Sequence, residues 1–266
     1  LIERRNHLRE AITKAEAHVN PPAFVLEKLA SLFDLQQWSN LDRICGELIR
    51  VHPISGQIIN IFAVAKREIG DIDAALSLHR RAISIDPENP SFLLNLGNTL
   101  VASDAYDDAI QCFLQVIELD PTMPSSYNSL GACYEDLGDN AAAHEYYTRA
   151  LKVDQDYADA SYNLGATKLR DLDFKNGWML RDTKWLKPKL RKSMEEFDRP
   201  MWSGLKTGRL FIWAEQGIGD EVMFASCFED LSRFADELLV SVSKKSLGLF
   251  QYSFPNIEFI ERETNV

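Results

Sequence analysis

Apolar residues recur along most of the chain at intervals of three and four, and that pattern is itself repeated. Between Pro90 and Pro121, Leu93, Leu96, Gly97 and Leu100 mark one face of a first helix. After a turn at Ser103-Asp104, Ala109, Cys112, Phe113 and Val116 mark the face of a second. The two-helix unit returns every 34 residues: Pro53, Pro87 and Pro121 share one phase, with Gln155 in the next slot and His52, Asp86, Asp120 and Asp154 preceding them. Leu41, Ala75, Ala109 and Ala143 share a second phase, and Leu48, Ala82, Val116 and Ala150 a third. A fourth holds Ala63, Gly97, Gly131 and Gly165, the last three each preceded by leucine. Such a period marks stacked supersecondary units that bury their apolar faces only against one another. The small residues of the fourth phase imply a close approach of the two helices, with Gly97 set against Ala109. Gly70-Asp71 and Gly138-Asp139 read as a left-handed helix end followed by the cap of the next helix. The Asp-Pro pairs stop the second helix and open the next unit.

These residues resemble the tetratricopeptide repeat, above all Asn95-Leu96-Gly97, Tyr127-Asn128-Ser129-Leu130-Gly131, Tyr162-Asn163-Leu164-Gly165, Ile85-Asp86-Pro87 and Leu119-Asp120-Pro121. The likeness spans residues 22–180: a degenerate unit 22–55 with Leu29 at the small position, then 56–89, 90–123, 124–157, and a partial unit 158–187 with a capping helix. Residues 1–21 read as a leading helix. The resemblance implies a mainly α fold, a right-handed superhelix of antiparallel helix pairs whose first helices line a concave groove for a peptide or protein partner. Register places Asn60, Leu94, Asn95, Asn98, Asn128, Tyr162 and Asn163 on or near that groove. An asparagine offers both donor and acceptor, so these side chains either pair with a bound backbone or tie neighbouring helices together. Glu68, Glu135 and Asp136 form either a partly acidic wall or a solvated face. The Lys and Arg pattern similar to a clamp for C-terminal carboxylates is missing, which argues against chaperone tails as ligands.

Beyond Asp173, Phe174 to Trp185 reads as a helix that covers the last repeat, with Trp178 and Trp185 on its core face. Arg181, Lys184, Lys187, Lys189, Arg191 and Lys192 make 181–204 a basic linker, with Pro188 and Pro200 interrupting it. That run suits salt bridges to the acidic repeats, or a phosphate-bearing partner. From Gly208 the period changes. Arg209–Ala214, Leu238–Val242 and Ile257–Ile260 read as strands, separated by helices at Glu221–Phe234 and Ser246–Tyr252. Residues 205–266 thus predict a small Rossmann-like β-α-β-α-β segment, the opening of a doubly wound parallel sheet. Ligands of such sheets lie beyond the carboxyl ends of the strands, which points to Gln216, Gly217 and Gly219 as a ligand or phosphate loop. Val222 stands where a dinucleotide fingerprint needs a third glycine, which argues against NAD or FAD. Asp220 fits an N-cap.

Trp202-x-Gly204, Leu210-Phe211-Ile212-Trp213-x-Glu215-Gln216-Gly217-Ile218-Gly219-Asp220-Glu221-Val222-x-Phe224 and Leu249-Phe250-Gln251-x-Ser253-Phe254-Pro255-Asn256 resemble bacterial proteins that fuse tetratricopeptide repeats to a glycosyltransferase-like domain. That domain is similar to the N-terminal half of the GT-B fold of heptosyltransferases. The resemblance implies Asp220 as general base toward an acceptor hydroxyl, and a nucleotide-sugar donor held by a second half. Two departures weaken it: Ser226 and Glu229 lie where that helix usually carries proline, and Lys244-Lys245 replace an acidic residue. With no sequence for the donor half, the chain itself is not expected to hold a cofactor or to transfer sugar.

Composition narrows the partners. The chain has 266 residues, 45% hydrophobic and 26% charged, with a formal net charge of −11. That excess argues against a nucleic-acid backbone or an anionic membrane as the main partner, and no apolar run is long enough for a spanning helix. The start, Leu1-Ile2-Glu3, has neither a signal-peptide core nor an initiator Met, as expected of a piece of a longer protein. Cys45, Cys112, Cys133 and Cys227 form no CxxC pair or metal-ligand spacing, so free thiols in the cytoplasm are expected, with no metal. His7, His18, His52, His79 and His144 read as surface or groove residues. A solenoid end or an unfinished sheet edge offers a surface for self-association.

Overall fold

The computed structural model describes residues 21–183, 202–213 and 218–262, which fall in two compact units. The first is a row of five helix pairs: α1 (Ala23–Asp34) with α2 (Trp38–Val51), α3 (Gly56–Glu68) with α4 (Ile72–Ile85), α5 (Pro90–Val101) with α6 (Tyr106–Leu119), α7 (Pro124–Asp136) with α8 (Asn140–Val153), and α9 (Ala158–Arg170) with α10 (Phe174–Arg181). Each helix packs on its partner, and each second helix also packs on the first helix of the next pair. Pro90 and Pro124 open α5 and α7 at the position where a missing N–H costs nothing.

Every first helix ends in the same turn. Gln36, Gly70, Asp104, Gly138 and Leu172, one per unit and 34 residues apart, all have positive φ, between 54° and 89°. The next residue's N–H closes the turn onto a carbonyl five residues back, as in Asp71 to Lys66 and Asp139 to Tyr134 at 2.9 and 2.8 Å. Asp71, Asp139 and Asp173 then cap the second helix by accepting from Ala74, Ala142 and Asn176 N–H. Leu172 holds the left-handed conformation (φ 63°) with a side chain 72% exposed, so it bears strain and packs little. Leu172→Gly should therefore stabilise the last pair by about 1 kcal/mol, read as a rise in the urea midpoint at unchanged slope.

Within each pair, residues 16 apart face one another and complement one another in size. A Cβ on Gly97 would lie 2.8 Å from Cζ of the Phe113 ring and closer still to Cε1, and one on Gly131 would lie 2.7 Å from the Tyr147 ring. Gly97 therefore makes room for Phe113 rather than for Ala109. A backbone-to-backbone approach occurs in the last pair instead, where a Cβ on Gly165 would meet the Gly177 carbonyl at 2.8 Å. The same register sets Ala63 against His79 and Leu29 against Cys45, all four buried. Trp178, expected in the core, is 48% exposed, and the buried residue of α10 is Gly177; Trp185 lies outside the described residues.

The second unit is a three-stranded parallel sheet, β1 (Thr207–Trp213), β2 (Ala235–Val242) and β3 (Glu258–Glu261), in the order β1-β2-β3. Leu210 pairs with Leu238, Ile212 with Val240, and Val240 with Phe259. One face, carrying Leu210, Leu238, Val240, Val242 and Phe259, packs on Ala225 and Phe228 of the first crossover and Phe250 of the second. Both crossovers lie on one side, as right-handed connections advancing in one direction require. The expected helix Glu221–Phe234 is broken into α11 (Ile218–Phe224), a 3-10 turn (Ala225–Cys227) and α12 (Phe228–Leu231). Ser226 and Ser232 hydroxyls donate to the Met223 and Glu229 carbonyls, a competition that bends helices. The second crossover, α13, runs Lys244–Ser253.

Candidate functional site

Successive first helices touch: α3 with α5, α5 with α7, α7 with α9. No two successive second helices pack as closely among the described residues, so the first helices line the inner side of the row. Along that side runs a ladder of side-chain hydrogen bonds. Asn95 donates to Asn60 Oδ1 at 3.3 Å, Ser129 to Asn98 Oδ1 at 3.2 Å, and Asn163 to Asn128 Oδ1 at 3.0 Å. Five of the seven groove residues expected from register thus join four helices into one polar seam, while Leu94 is half-buried beside it in sequence and takes no part in the bonding. Asn60 is buried and the other four are half-buried. A primary amide has two N–H donors and two lone pairs, and each rung uses one donor and one acceptor site, so capacity remains.

Charged groups flank the seam. Glu135 accepts from the Tyr147 hydroxyl at 2.6 Å and from Arg170 at 2.5 Å, and Arg67 meets Glu68 at 2.7 Å. Burial first, then Glu135 beside it, pushes the Tyr147 phenol far above its usual range. Glu68 and Glu135 are therefore neutralised by arginine, leaving Asp136 as the acidic member of the expected wall. Tyr162, also expected at the groove, lies under the guanidinium of Arg181, whose carbon is 4.0 Å from the ring centroid. Arg181 also donates to the Tyr162 hydroxyl.

His52 and His79, expected at the surface or groove, are both buried, His79 completely. Neither ring nitrogen of His79 has a hydrogen-bond partner among the described residues. Burial, then the charge of Arg67, pulls its pKa down to about 3. The 34-residue phase signals this position, since Cys45, His79, Phe113, Tyr147 and Arg181 share it. Because the folded value lies below the unfolded value near 6.5, the unfolded chain takes up the proton first. Stability is then intact above pH 6.5 and declines as pH falls toward 3. Between pH 7 and 5 the array should lose about 2 kcal/mol through this group. Urea titrations at both pH values test this, and Ala63→Gly/His79→Phe, which recreates the Gly97–Phe113 pair, should remove that share.

The α/β unit holds the other expected site. Gln216 and Gly217 lie outside the described residues. Gly219 and Asp220 fall within the first turn of α11, which starts at Ile218, so Asp220 is a first-turn carboxylate and not the N-cap. Its neighbour Glu221, singled out by no motif argument, is buried and accepts from Ser243 N–H at 2.9 Å, Ser243 Oγ at 2.8 Å and Ser246 Oγ. Burial alone would raise its pKa; the bonds from Ser246 and Ser243 outweigh it and hold the carboxylate below its ordinary value. Glu221 ties α11 to the start of α13 at the carboxyl ends of the strands. Among the described residues no three His, Cys, Asp or Glu side chains cluster as metal ligands.

Family models of the tetratricopeptide repeat match residues 68–132 and 124–157. Residues 68–157 thus match tetratricopeptide repeats, and the helix pairs on either side continue the same arrangement. Solved structures agree on the fold: TTC0263, a thermophilic TPR protein of Thermus thermophilus, superposes with a TM-score of 0.57 at 14% identity over 64% of this chain and 95% of that one. Pseudomonas aeruginosa pilF does so at 0.56 and 14% identity, over 90% of this chain and 91% of its own. In sequence, the chain is 27% identical to Protein FlbA of Caulobacter vibrioides over 215 residues, 77% of this chain and 36% of that protein. It is 32% identical to the peroxisomal targeting signal receptor of Candida glabrata over 94 residues, 35% of this chain and 15% of the receptor. The chain thus spans well under two thirds of either relative. Repeats of this kind are protein–protein interaction modules, and no described helix is long and apolar enough to cross a membrane.

Proposed function

We propose that the array is a docking module that holds an extended segment of a protein partner along its inner face, in the cytoplasm. The polar seam Asn60–Asn95, Asn98–Ser129 and Asn128–Asn163 carries this reading. Amides with unused donors and acceptors recognise a peptide backbone whatever its side chains. The name of the Candida relative, a receptor for a targeting signal, supports it, and four free cysteines fit a reducing compartment. Alanine at Asn95, Asn98 and Asn128 together should weaken binding to an array of random extended peptides at least about ten-fold while the helical signal persists. Undiminished binding would remove the seam as the contact surface.

A second reading has one specific observation in its favour. Asp220 lies in the first turn of the helix that follows β1 of a parallel sheet, and a carboxylate there is of the kind that takes a proton from an attacking hydroxyl. The FlbA likeness covers 77% of the chain, so it runs past the repeats. In this reading the sheet opens a GT-B glycosyltransferase domain, the repeats present the acceptor protein, and a further half supplies the nucleotide-sugar site. Turnover of UDP-, GDP- and ADP-sugars by the full-length gene product, lost on Asp220→Asn, tests it.

A further inference from the structure

α11 is seven residues long, about two turns, which is too short to hold its place without tertiary anchors. Its large apolar side chains do not supply them: Ile218, Val222 and Met223 are all exposed. The one buried residue of the helix is Glu221. Both of its carboxylate oxygens are held, Oε1 by the Ser243 N–H at 2.9 Å, and Oε2 by the Ser243 hydroxyl at 2.8 Å and by the Ser246 hydroxyl. Ser243 is the N-cap of α13 and makes no side-chain cap bond to its own helix. Its polar groups bond to Glu221 instead, so a carboxylate on one crossover closes the start of the other.

Packing alone does not call for a charge there. Replacing a buried carboxylate and its donors by apolar groups of the same shape can be nearly neutral in stability. Three directed bonds add something that apolar contact lacks, a fixed rotation of α11 about its own axis. Neighbouring helix residues project about 100° apart. Holding Glu221 inward therefore also fixes the direction of Asp220, which precedes it and is half-buried. β1 ends at Trp213 and β2 at Val242, so the clamp spans the carboxyl ends of both strands, where a parallel sheet places its ligands.

We propose that Glu221, clamped by Ser243 and Ser246, is a positioning residue that sets the Asp220 carboxylate for proton transfer from an acceptor hydroxyl. This rests on the glycosyltransferase reading above. Steady-state turnover of UDP-, GDP- and ADP-sugars by the full-length gene product tests it, with hydrogen exchange read on the same samples. Glu221→Gln keeps the length of the side chain and loses the charge that strengthens its bonds. It should lower kcat about ten-fold, leave the KM for the donor sugar unchanged, and keep protection in peptides covering 207–213 and 235–242. A residue that acts through Asp220 has nothing left to position once that carboxylate is gone. Added to Asp220→Asn, Glu221→Gln should therefore cost nothing further in the turnover that remains, whereas a merely structural residue would cost about ten-fold again. Ser246→Ala, which removes one of the donors, should give a smaller loss of the same kind, and serves if the glutamine variant does not fold. An unchanged kcat in both variants, or an equal loss in the Asp220→Asn background, would overturn the positioning role alone. No turnover by the natural protein, or turnover indifferent to Asp220→Asn, would overturn the reading on which it rests, and this role with it.

Discussion

Gly97→Ala should destabilise the array by about 2 kcal/mol, although alanine is the better helix former. The substitution gains about 1 kcal/mol of helix propensity. Against that, the new methyl would lie 2.8 and 2.9 Å from two carbons of the Phe113 ring and closer still to a third. Phe113 cannot swing aside, because it is wholly buried in a cluster with Leu100, Ala109, Leu130 and Cys133. Overpacking a filled core costs about 3 kcal/mol in such a case, and the difference should appear as a lower urea midpoint. The cause is specific enough for a double-mutant cycle. Phe113→His alone trades a well-packed ring for a buried imidazole with no built partner. Added to Gly97→Ala, it restores the Ala63–His79 combination one unit upstream, so the pair should cost at least about 1 kcal/mol less than the sum of its parts. Strict additivity would show that Gly97 and Phe113 do not set each other's size.

The repeat is legible because a solenoid encodes itself several times. One glycine means little, but the 34-residue phase of Ala63, Gly97, Gly131 and Gly165 locates the inter-helix contact. What each small residue accommodates is not legible, since spacing fixes which residues share a face and not which side chain fills the gap. Hence spacing sets Gly97 against Ala109, while the ring of Phe113 occupies the space. Gly70 and Gly138 announce the left-handed turn through their freedom at positive φ; Gln36 and Leu172 adopt it without any such mark, imposed by the helices on either side. Composition favours a surface place for a histidine such as His79, yet its phase with Phe113 and Tyr147 puts it inside.

The candidate site divides in the same way. The inner-face residues follow from register alone, but their pairing into Asn60–Asn95 and Asn128–Asn163 depends on how closely successive first helices approach. Arg181 reads in the sequence as part of a basic run, and only the fold sets it over Tyr162. In the α/β unit, the alternation of Leu210, Ile212 and Leu238, Val240, Val242 reveals strands and their buried face. Glu221 stays hidden because a buried carboxylate is recognised by its donors, Ser243 and Ser246, which lie 22 and 25 residues away.

The largest effect is expected from Phe228→Ala in the α/β unit. Phe228 is buried, and its ring centroid lies 5.9 Å from that of Phe250, 5.5 Å from Phe254 and 5.7 Å from Phe259. It thereby joins the first crossover to α13 and to β3. Truncating such a ring costs about 3–5 kcal/mol through lost burial and the cavity left behind. A unit of about 60 residues has total stability on the order of 3–9 kcal/mol, so most of it would be consumed. Hydrogen exchange read by mass spectrometry should show protection lost in peptides covering 207–213 and 235–242. Peptides covering 90–153 should keep theirs, because the array buries its apolar faces pair against pair and draws none of its core clusters from the sheet. Protection retained in β1 and β2 would show that the sheet draws its stability from contacts other than this aromatic cluster. Loss spreading into α5–α8 would instead show that the two units unfold as one.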